Sequence, residues 1–589
     1  MGGDKPTFKS LSTTNQTSPE LMNPSTKTPR QRFLDDPIRK QHEDPLPIFE
    51  TGIPMRDGIE LAADVYLPVQ QSRPAPAIVQ STPYDKSQSI FFKNEARFFQ
   101  QRGYVFIVHD VRGRGKSEGC WRAFVNDGPD TYDVIEWVAC QDWCTGKVGT
   151  TGLSYAGWTQ WAAAAEMPPH LTCMISTSAA GRWQQEIPYS NGVFQLYFGW
   201  WVYLVRRRIT EMYGLEEHDW ETILQTLPVS AIAKFINPVG KTWQDMLDHD
   251  TLDSHWQSLR FDERYGDINT PCLHVTGWYD MEDLMGAFHH YENMIKSSPA
   301  RHNQQLIVGP WSHINCRWPH SSYGGLDFGN EAAIDMDDVH LRWFDYWLKG
   351  VENGATDDPS VKIFEPGRNS WLHVNRWPLG ITEKLLFLRF DGKTGHLSDV
   401  SPPTDEPEQH YLYDPTDPVP TGMDIKRYPL EDIPLDQTLV ESRPDVLIYS
   451  SEVIVRELVL SGWPHLEIYA ASTCEDTEWH VKLTDVHPDG RSMKVTQGCL
   501  RASYRDSLEK PSPLESGRIY SFTIELWPTH HVFLSGHRIR VTITSSDFPW
   551  YARSMNCFGK IGDLATPIVA KNSIFHTPIC PSLLRLPVQ

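Results

Sequence analysis

The residues with the most to say about chemistry are Gly152-Leu153-Ser154-Tyr155-Ala156-Gly157. A serine serves as a nucleophile when it sits on a sharp turn from strand into helix. Such a turn crowds the positions two before and two or three after the serine. Those positions are Gly152, Ala156 and Gly157, all small. A helix-forming run, 161–166, follows at once, and a helix N-terminus behind Ser154 favours negative charge developing there. Ala156 stands where a literal G-x-S-x-G pattern has its second Gly, yet the steric requirement is met. Taken alone, the hexapeptide is equally consistent with a buried or capping serine.

A serine hydroxyl needs a neutral imidazole to take its proton, and the imidazole needs a carboxylate to fix its tautomer and stabilise the cation that forms. In open α/β sheets such residues lie just past the C-terminal ends of strands. Asp280 follows the apolar run Leu273-His274-Val275, and His313 follows Leu306-Ile307-Val308. The order Ser154, Asp280, His313 leaves room after the serine for an inserted lid. Among 23 histidines, including the pairs His289-His290 and His530-His531, His313 is singled out by its position. The oxyanion needs preorganised donors, each contributing about 2.7–4 kcal/mol. One is the backbone N–H of Tyr155. The other falls in Ser81-Thr82-Pro83-Tyr84-Asp85, after the run 77–79. Pro83 has no N–H, so the Tyr84 hydroxyl is the candidate, with aromatic packing as its alternative.

Elements of the right kind surround these residues. From about 50 to 180, strand-like runs (61–67, 77–79, 104–108) alternate with a helical pattern at 130–140, which argues a mostly parallel sheet covered on both faces. Residues 181–262 break that rhythm and are dense in rings, among them Trp183, Phe194 and Trp200. They read as a helical cap inserted into the sheet domain. After about 355 the period becomes two: Tyr520, Phe522 and Ile524 alternate with polar residues, as do Ile539, Val541 and Ile543. Residues 479–486 and 493–495 around Pro488-Asp489-Gly490 read as a hairpin. This segment is expected to be an all-β sandwich or jelly roll. The expected division is 45–180 plus 263–355 for the sheet domain, 181–262 for the cap and 356–589 for the β domain.

Composition narrows the partners. At 40% hydrophobic and 22% charged the chain is globular, and a net charge of −21 disfavours nucleic acid and anionic membrane. No apolar run approaches the ~20 residues of a membrane span; the longest, 193–205, contains Gln195 and Gly199. Residues 1–44 are rich in Ser, Thr, Pro, Lys and Asn and are expected to be disordered or extended. They contain no apolar core of a signal peptide, and Pro6 stands where a myristoylation signal needs Ser or Thr. Ten cysteines without a C-x-x-C pair suggest neither a zinc site nor a disulfide scaffold, so no metal and no cofactor is expected. A cytoplasmic location is the default. The loop Arg112-Gly113-Arg114-Gly115-Lys116-Ser117 is no phosphate loop, because Asp110 occupies the place of its first Gly.

Several stretches in order resemble a known family: P-M-R-D-G-I-E-L-A-A-D-V-Y-L-P (54–68), S-T-P-Y-D-K (81–86), H-D-V-R-G-R-G-K-S-E-G (109–119), G-K-V-G-T-T-G-L-S-Y-A-G-W-T-Q (146–160), G-W-Y-D (277–280) and V-G-P-W-S-H (308–313). The chain resembles the cocaine esterase, X-prolyl dipeptidyl-peptidase and α-amino acid ester hydrolase family over about 45–350, and more loosely through 534–549. The resemblance implies an α/β-hydrolase domain, a helical cap and a C-terminal jelly roll. It implies Ser154, Asp280 and His313 as triad, with Tyr84 and Tyr155 as oxyanion donors. It places Asp110, Arg112 and Arg114 in the hydrolase core, where ion pairs are expected to tie loops together. Glu282 and Asp283 match the offsets of two carboxylates that bind a substrate ammonium in α-amino acid ester hydrolases, with Glu186 a loose counterpart of the third. Their alternative is a favourable charge at a helix start. Trp183, Phe194 and Trp200 are candidate walls of an apolar acyl pocket.

The expected function is hydrolysis of an ester or amide of a small, partly aromatic molecule through an acyl-enzyme on Ser154. Two alternatives stay open: an acyltransferase or cyclase using the same triad, and a silent binding protein on this fold. Homo-oligomer formation is left open.

Overall fold

The computed structural model describes residues 49–68, 74–87, 90–210, 218–236, 241–423, 433 and 435–589. The expected N-terminal tail, 1–44, lies outside the described residues. The first sheet has ten strands: β1 Phe49–Pro54, β2 Glu60–Tyr66, β3 Ala75–Thr82, β4 Val105–Asp110, β5 Cys144–Leu153, β6 Leu171–Thr177, β7 Cys272–Gly277, β8 Gln304–Gly309, β9 Val361–Glu365 and β10 Ser370–Val374. Their order is β1-β2-β4-β3-β5-β6-β7-β8-β9-β10. From β4 to β9 each neighbouring pair is parallel. The antiparallel pairs lie at the two edges. The parallel strands read as unbroken apolar runs because both faces are covered: every residue of β4 and of β7 is buried.

Helices α1 Ile90–Gln100, α2 Asp127–Ala139, α3 Tyr155–Ala165, α4 Leu284–Ser297 and α5 Met336–Lys349 supply that cover. Phe99 of α1 and Phe344 of α5 pack with Phe106 and Ile175 on one face. Val134 of α2, Trp161 of α3 and Phe288 of α4 join Val79 and Ile107 on the other. Phe344 is wholly buried, so truncating it to Ala is worth about 3–5 kcal/mol. Helix α5 starts where Asp335 accepts a hydrogen bond from the Asp337 N–H, a side-chain cap on an otherwise unpaired donor.

Between β6 and β7 the chain leaves the sheet for a hairpin, Tyr189–Ser190 with Val193–Phe194, and, among the described residues, five short α-helices: Phe198–Leu204, Trp220–Leu224, Ala233–Ile236, Thr242–Asp248 and Ser254–Gln257. Helices this short are not stable alone. Rings hold them, as where Trp200 meets Trp220 with centroids 5.5 Å apart.

The boundary expected at 355 falls ahead of β9 and β10, which complete the first sheet. A thirteen-stranded second sheet follows. The alternation at 520–526 becomes the strand Tyr520–Glu525, with Phe522 and Ile524 inside. The hairpin is formed by β11 Glu478–Val486 and β12 Ser492–Arg501. Every residue of both strands is buried. Trp479, Val481 and Leu483 face the core of the second sheet, while Met493 and Cys499 belong to the core of the first. Strand β13 Thr529–Phe533 and strand β14 Arg538–Thr544 follow, β14 pairing antiparallel with β11. All ten cysteines are unpaired. Among the described residues no helix is long and apolar enough to cross a membrane.

Candidate active site

Tyr84, Ser154, Asp280 and His313 each follow the C-terminal end of a parallel strand (β3, β5, β7 and β8) and so meet at one rim of the sheet. Ser154 is the single residue between β5 and α3, with φ 64° and ψ −124°. A side chain there is strained by about 1–3 kcal/mol. The turn is held from outside: the Ser154 N–H donates to the carbonyls of Thr177 and Ser178 at 3.0 and 3.1 Å. The small residues are needed for the reason their spacing suggests. A Cβ on Gly152 would stand 2.5 Å from the Ala156 Cβ, and one on Gly157 would stand 2.7 Å from the Thr177 carbonyl oxygen.

His313 and Asp280 come together. Nδ1 of His313 lies 3.0 Å from Asp280 Oδ1, and that same oxygen accepts the backbone N–H of Glu282 at 3.0 Å and of Asp283 at 3.2 Å. Burial alone would raise the Asp280 pKa, but His313 and these hydrogen bonds hold it below the usual carboxylate range. It stays ionised and fixes the ring. Nε2 of His313 faces Glu282 Oε2 at 3.6 Å. Among the described residues no hydrogen bond joins Ser154 to His313. Catalytic hydrogen bonds often close only once substrate is bound, and a hydroxyl turns about a single bond.

The Tyr84 hydroxyl accepts a hydrogen bond from Trp201 Nε1 at 3.1 Å. Burial pushes its pKa up to about 12, against hydrogen bonds from Trp201 and Ser154. A phenol so placed keeps its proton at neutral pH and is a donor beside the serine. Arg114 holds the Tyr84 loop through the Pro83 carbonyl at 2.7 Å and also binds the Val205 carbonyl at the end of the cap helix. The ion pairs expected of this loop are made by Arg112, to Asp130 and Asp57. Arg114 instead binds carbonyls, and Asp110 accepts the backbone N–H groups of Lys86 and Lys116. The N–H of Tyr155 opens α3 and has no acceptor within the helix. The Tyr155 side chain points away, donating to Asp127 at 2.8 Å.

Glu282 and Asp283 belong to this rim. Asp283 directly precedes α4 and makes no side-chain cap. Its Oδ2 lies 4.0 Å from His313 Nδ1. Glu186 joins them: its carboxylate takes the N–H groups of Gly286, Gly181 and Arg182, and its charge helps raise the Asp283 pKa. Burial raises all three carboxyl pKa values. Among the described residues no Lys or Arg salt bridge reaches any of them; His313 is the cation beside Glu282 and Asp283, and the charge of Arg182 acts on Glu186. Burial alone would lower the His313 pKa, but Glu282, Asp280 and Asp283 raise it well above the ordinary imidazole value. Ligand atoms of Glu282, Asp283 and His313 all lie within 4.8 Å of one another. A metal held there would occupy the Nε2 lone pair that must take the serine proton. An ammonium group would leave it free.

The three candidate wall rings, Trp183, Phe194 and Trp200, are all buried. Trp183 stacks on Trp256 and donates to the Leu259 carbonyl. Phe194 packs edge-on against Trp243. Trp200 is spent on Trp220. Phe194 and Trp200 hold the cap together, because short helices need such contacts to form at all, while Trp183 also packs edge-on against Phe124 and Trp158. The cap-helix ring that reaches the Tyr84 hydroxyl is Trp201, one residue further on, which stacks over Tyr155 and Phe124. Helical phase separates neighbours by about 100°, and ring density alone carries no phase.

A parallel sheet in this order, with a serine on the strained turn after β5 and a paired Asp and His after later strands, defines the α/β-hydrolase class. A model of the X-Pro dipeptidyl-peptidase S15 family matches residues 57–315. One of the X-Pro dipeptidyl-peptidase C-terminal non-catalytic domain matches residues 353–585. The chain is 31% identical to a cocaine esterase of Rhodococcus sp. (strain MB1 Bresler), over 91% of this chain and 97% of that one. It is 24% identical to a putative serine esterase of Mycobacterium bovis, over 86% of this chain and 91% of that one. Its fold is similar to that of an α-amino acid ester hydrolase, with TM-score 0.81 and 27% identity, covering 97% of this chain and all of the other. The chain belongs to the X-Pro dipeptidyl-peptidase S15 family.

Proposed function

We propose that this protein is a serine hydrolase that cleaves an ester or amide bond of a small molecule carrying a positive charge, an α-ammonium, near the scissile carbonyl. Ser154 attacks the carbonyl, His313 takes its proton, and Asp280 holds the ring and stabilises the imidazolium. The Tyr155 N–H and the Tyr84 hydroxyl receive the oxyanion. The leaving group takes the proton from His313, and water then releases the acid. The observation that carries this reading is the 3.0 Å contact of His313 with Asp280 at the same rim as a serine held at positive φ.

The positive charge is proposed from the cluster of Glu186, Glu282 and Asp283. Buried carboxylates without a basic partner are costly, and a substrate cation removes that cost. The relative described as an α-amino acid ester hydrolase points the same way. The cap, 181–262, is proposed to cover the site and limit water. A cytoplasmic location is proposed from ten unpaired cysteines.

Labelling with a fluorophosphonate tests the core of the proposal: wild type is expected to label and Ser154→Ala to remain unlabelled. Absence of label on the wild type refutes it. A panel of p-nitrophenyl esters with and without an α-amine tests the charge. Equal losses on both kinds of ester in Glu282→Gln refute the ammonium subsite and leave the hydrolase standing.

A further inference from the structure

One cluster of potential ligands lies in the β-rich C-terminal part, apart from the residues proposed for hydrolysis. Strand β11 ends in Asp485-Val486, and His487 opens the turn that follows, closed by the His487 N–H to the Arg491 carbonyl at 2.8 Å. Antiparallel pairing sets Asp485 opposite Ile539 and Val486 opposite Arg538. This brings the end of β11 beside His537, in the turn between β13 and β14. His537 Nδ1 lies 2.8 Å from Asp485 Oδ1. His487 Nε2 lies 3.8 Å from Asp485 Oδ2. The two rings stand 4.6 Å apart. One ligand atom from each of Asp485, His487 and His537 falls within 4.8 Å of the others. Four-coordinate ligand atoms about a divalent ion at ~2.1 Å stand roughly 3.4 Å apart, so Asp485 and His537 need part only slightly and His487 need close in only slightly.

The surroundings suit an ion. His531 Nε2, from β13, lies 3.1 Å from Asp485 Oδ2 and orients it as outer partners orient ligating carboxylates. His487 makes no side-chain hydrogen bond among the described residues, and its side chain is 22% exposed, against 2% for Asp485. It therefore offers a lone pair, an entry path and an open side for water. Arg491, at the end of the same turn, is paired with Asp489 at 2.8 Å. A carboxylate ringed by three imidazoles is more basic nitrogen than one negative charge needs.

We infer that Asp485, His487 and His537 form a binding site for a divalent transition-metal ion, zinc being the best match to two imidazoles and one carboxylate, with His531 as the residue that positions the carboxylate. The ion would clip the 487–491 turn to the 534–537 turn. Cysteine spacing carries no sign of this site. The ligands here are split between D-x-H at 485–487 and a histidine on a turn about fifty residues on.

The test uses the full chain, stripped with a chelator, reloaded with zinc and desalted, then assayed for bound metal. Wild type is expected to hold one zinc per chain. His487→Ala, on an exposed turn, is expected to lose it with an unchanged circular dichroism spectrum. His531→Ala is expected to weaken zinc about 10–100-fold. Cobalt is expected to give a visible ligand-field band in wild type that disappears in His487→Ala. Glu282→Gln controls for the other cluster of ligands and is expected to keep both signals. Wild type that retains no zinc at micromolar free zinc, His487→Ala that retains as much as wild type, or metal lost with Glu282→Gln instead would each overturn the inference.

Discussion

Replacing Glu282 by Gln probes the electrostatics that set the proposed base. The Glu282 carboxylate lies 3.6 Å from His313 Nε2, the nitrogen that must be unprotonated to accept from Ser154. Unit charges at that distance interact by about 4.6 kcal/mol at an effective dielectric of ~20, or about 3 pKa units. That is an upper bound, since burial raises the pKa of Glu282 itself and leaves it only partly charged near neutrality. A shift of about one to three units is therefore expected. The sign follows from charge. The carboxylate stabilises the imidazolium and raises the pKa of His313. Without it the ring gives up its proton at lower pH, and the acid limb of kcat/KM moves down. The assay is kcat/KM against pH for an ester without an amine, from about pH 5 to about pH 11, so that the raised wild-type limb lies inside the window and loss of ammonium binding does not intrude. An acid limb that stays in place or moves up would refute the assigned coupling.

Three further outcomes follow from the geometry. Tyr84→Phe removes one oxyanion donor and is expected to lower kcat by about 10²–10³ with KM little changed; a loss confined to KM would assign Tyr84 to ground-state binding. Asp280→Asn keeps the shape but loses the tautomer control and is expected to lower kcat by about 10⁴; steady-state kinetics on a p-nitrophenyl ester decides it. Ser154→Gly relieves about 1–3 kcal/mol of backbone strain and gives back about 0.4–1 kcal/mol in unfolded-chain entropy. A net stabilisation of about 1 kcal/mol is expected by urea denaturation; destabilisation would show that the φ of 64° is not strained.

What the sequence determined by itself was the position of chemistry along strands. A parallel strand covered on both faces is a continuous apolar run, so the ends of β7 and β8, and with them Asp280 and His313, could be read directly. The elbow could be read too, because close approach demands small residues: Gly152 meets Ala156, and Gly157 meets Thr177. Local patterns of this kind are steric and need no partner. Tertiary structure decided everything that depends on which distant group lies opposite. Trp201 rather than Trp200 meets Tyr84, because helix phase in a segment of short, ring-packed helices is set by neighbours. Strands β9 and β10 return to the first sheet, though their period is no different from that of strands in the second. The charge of Glu186 acts on Asp283 from a loop after β6, and His537 reaches Asp485 across a strand pairing. Charges and ligands act over a few ångströms in space, and nothing in the linear order of residues records that distance until the chain has packed.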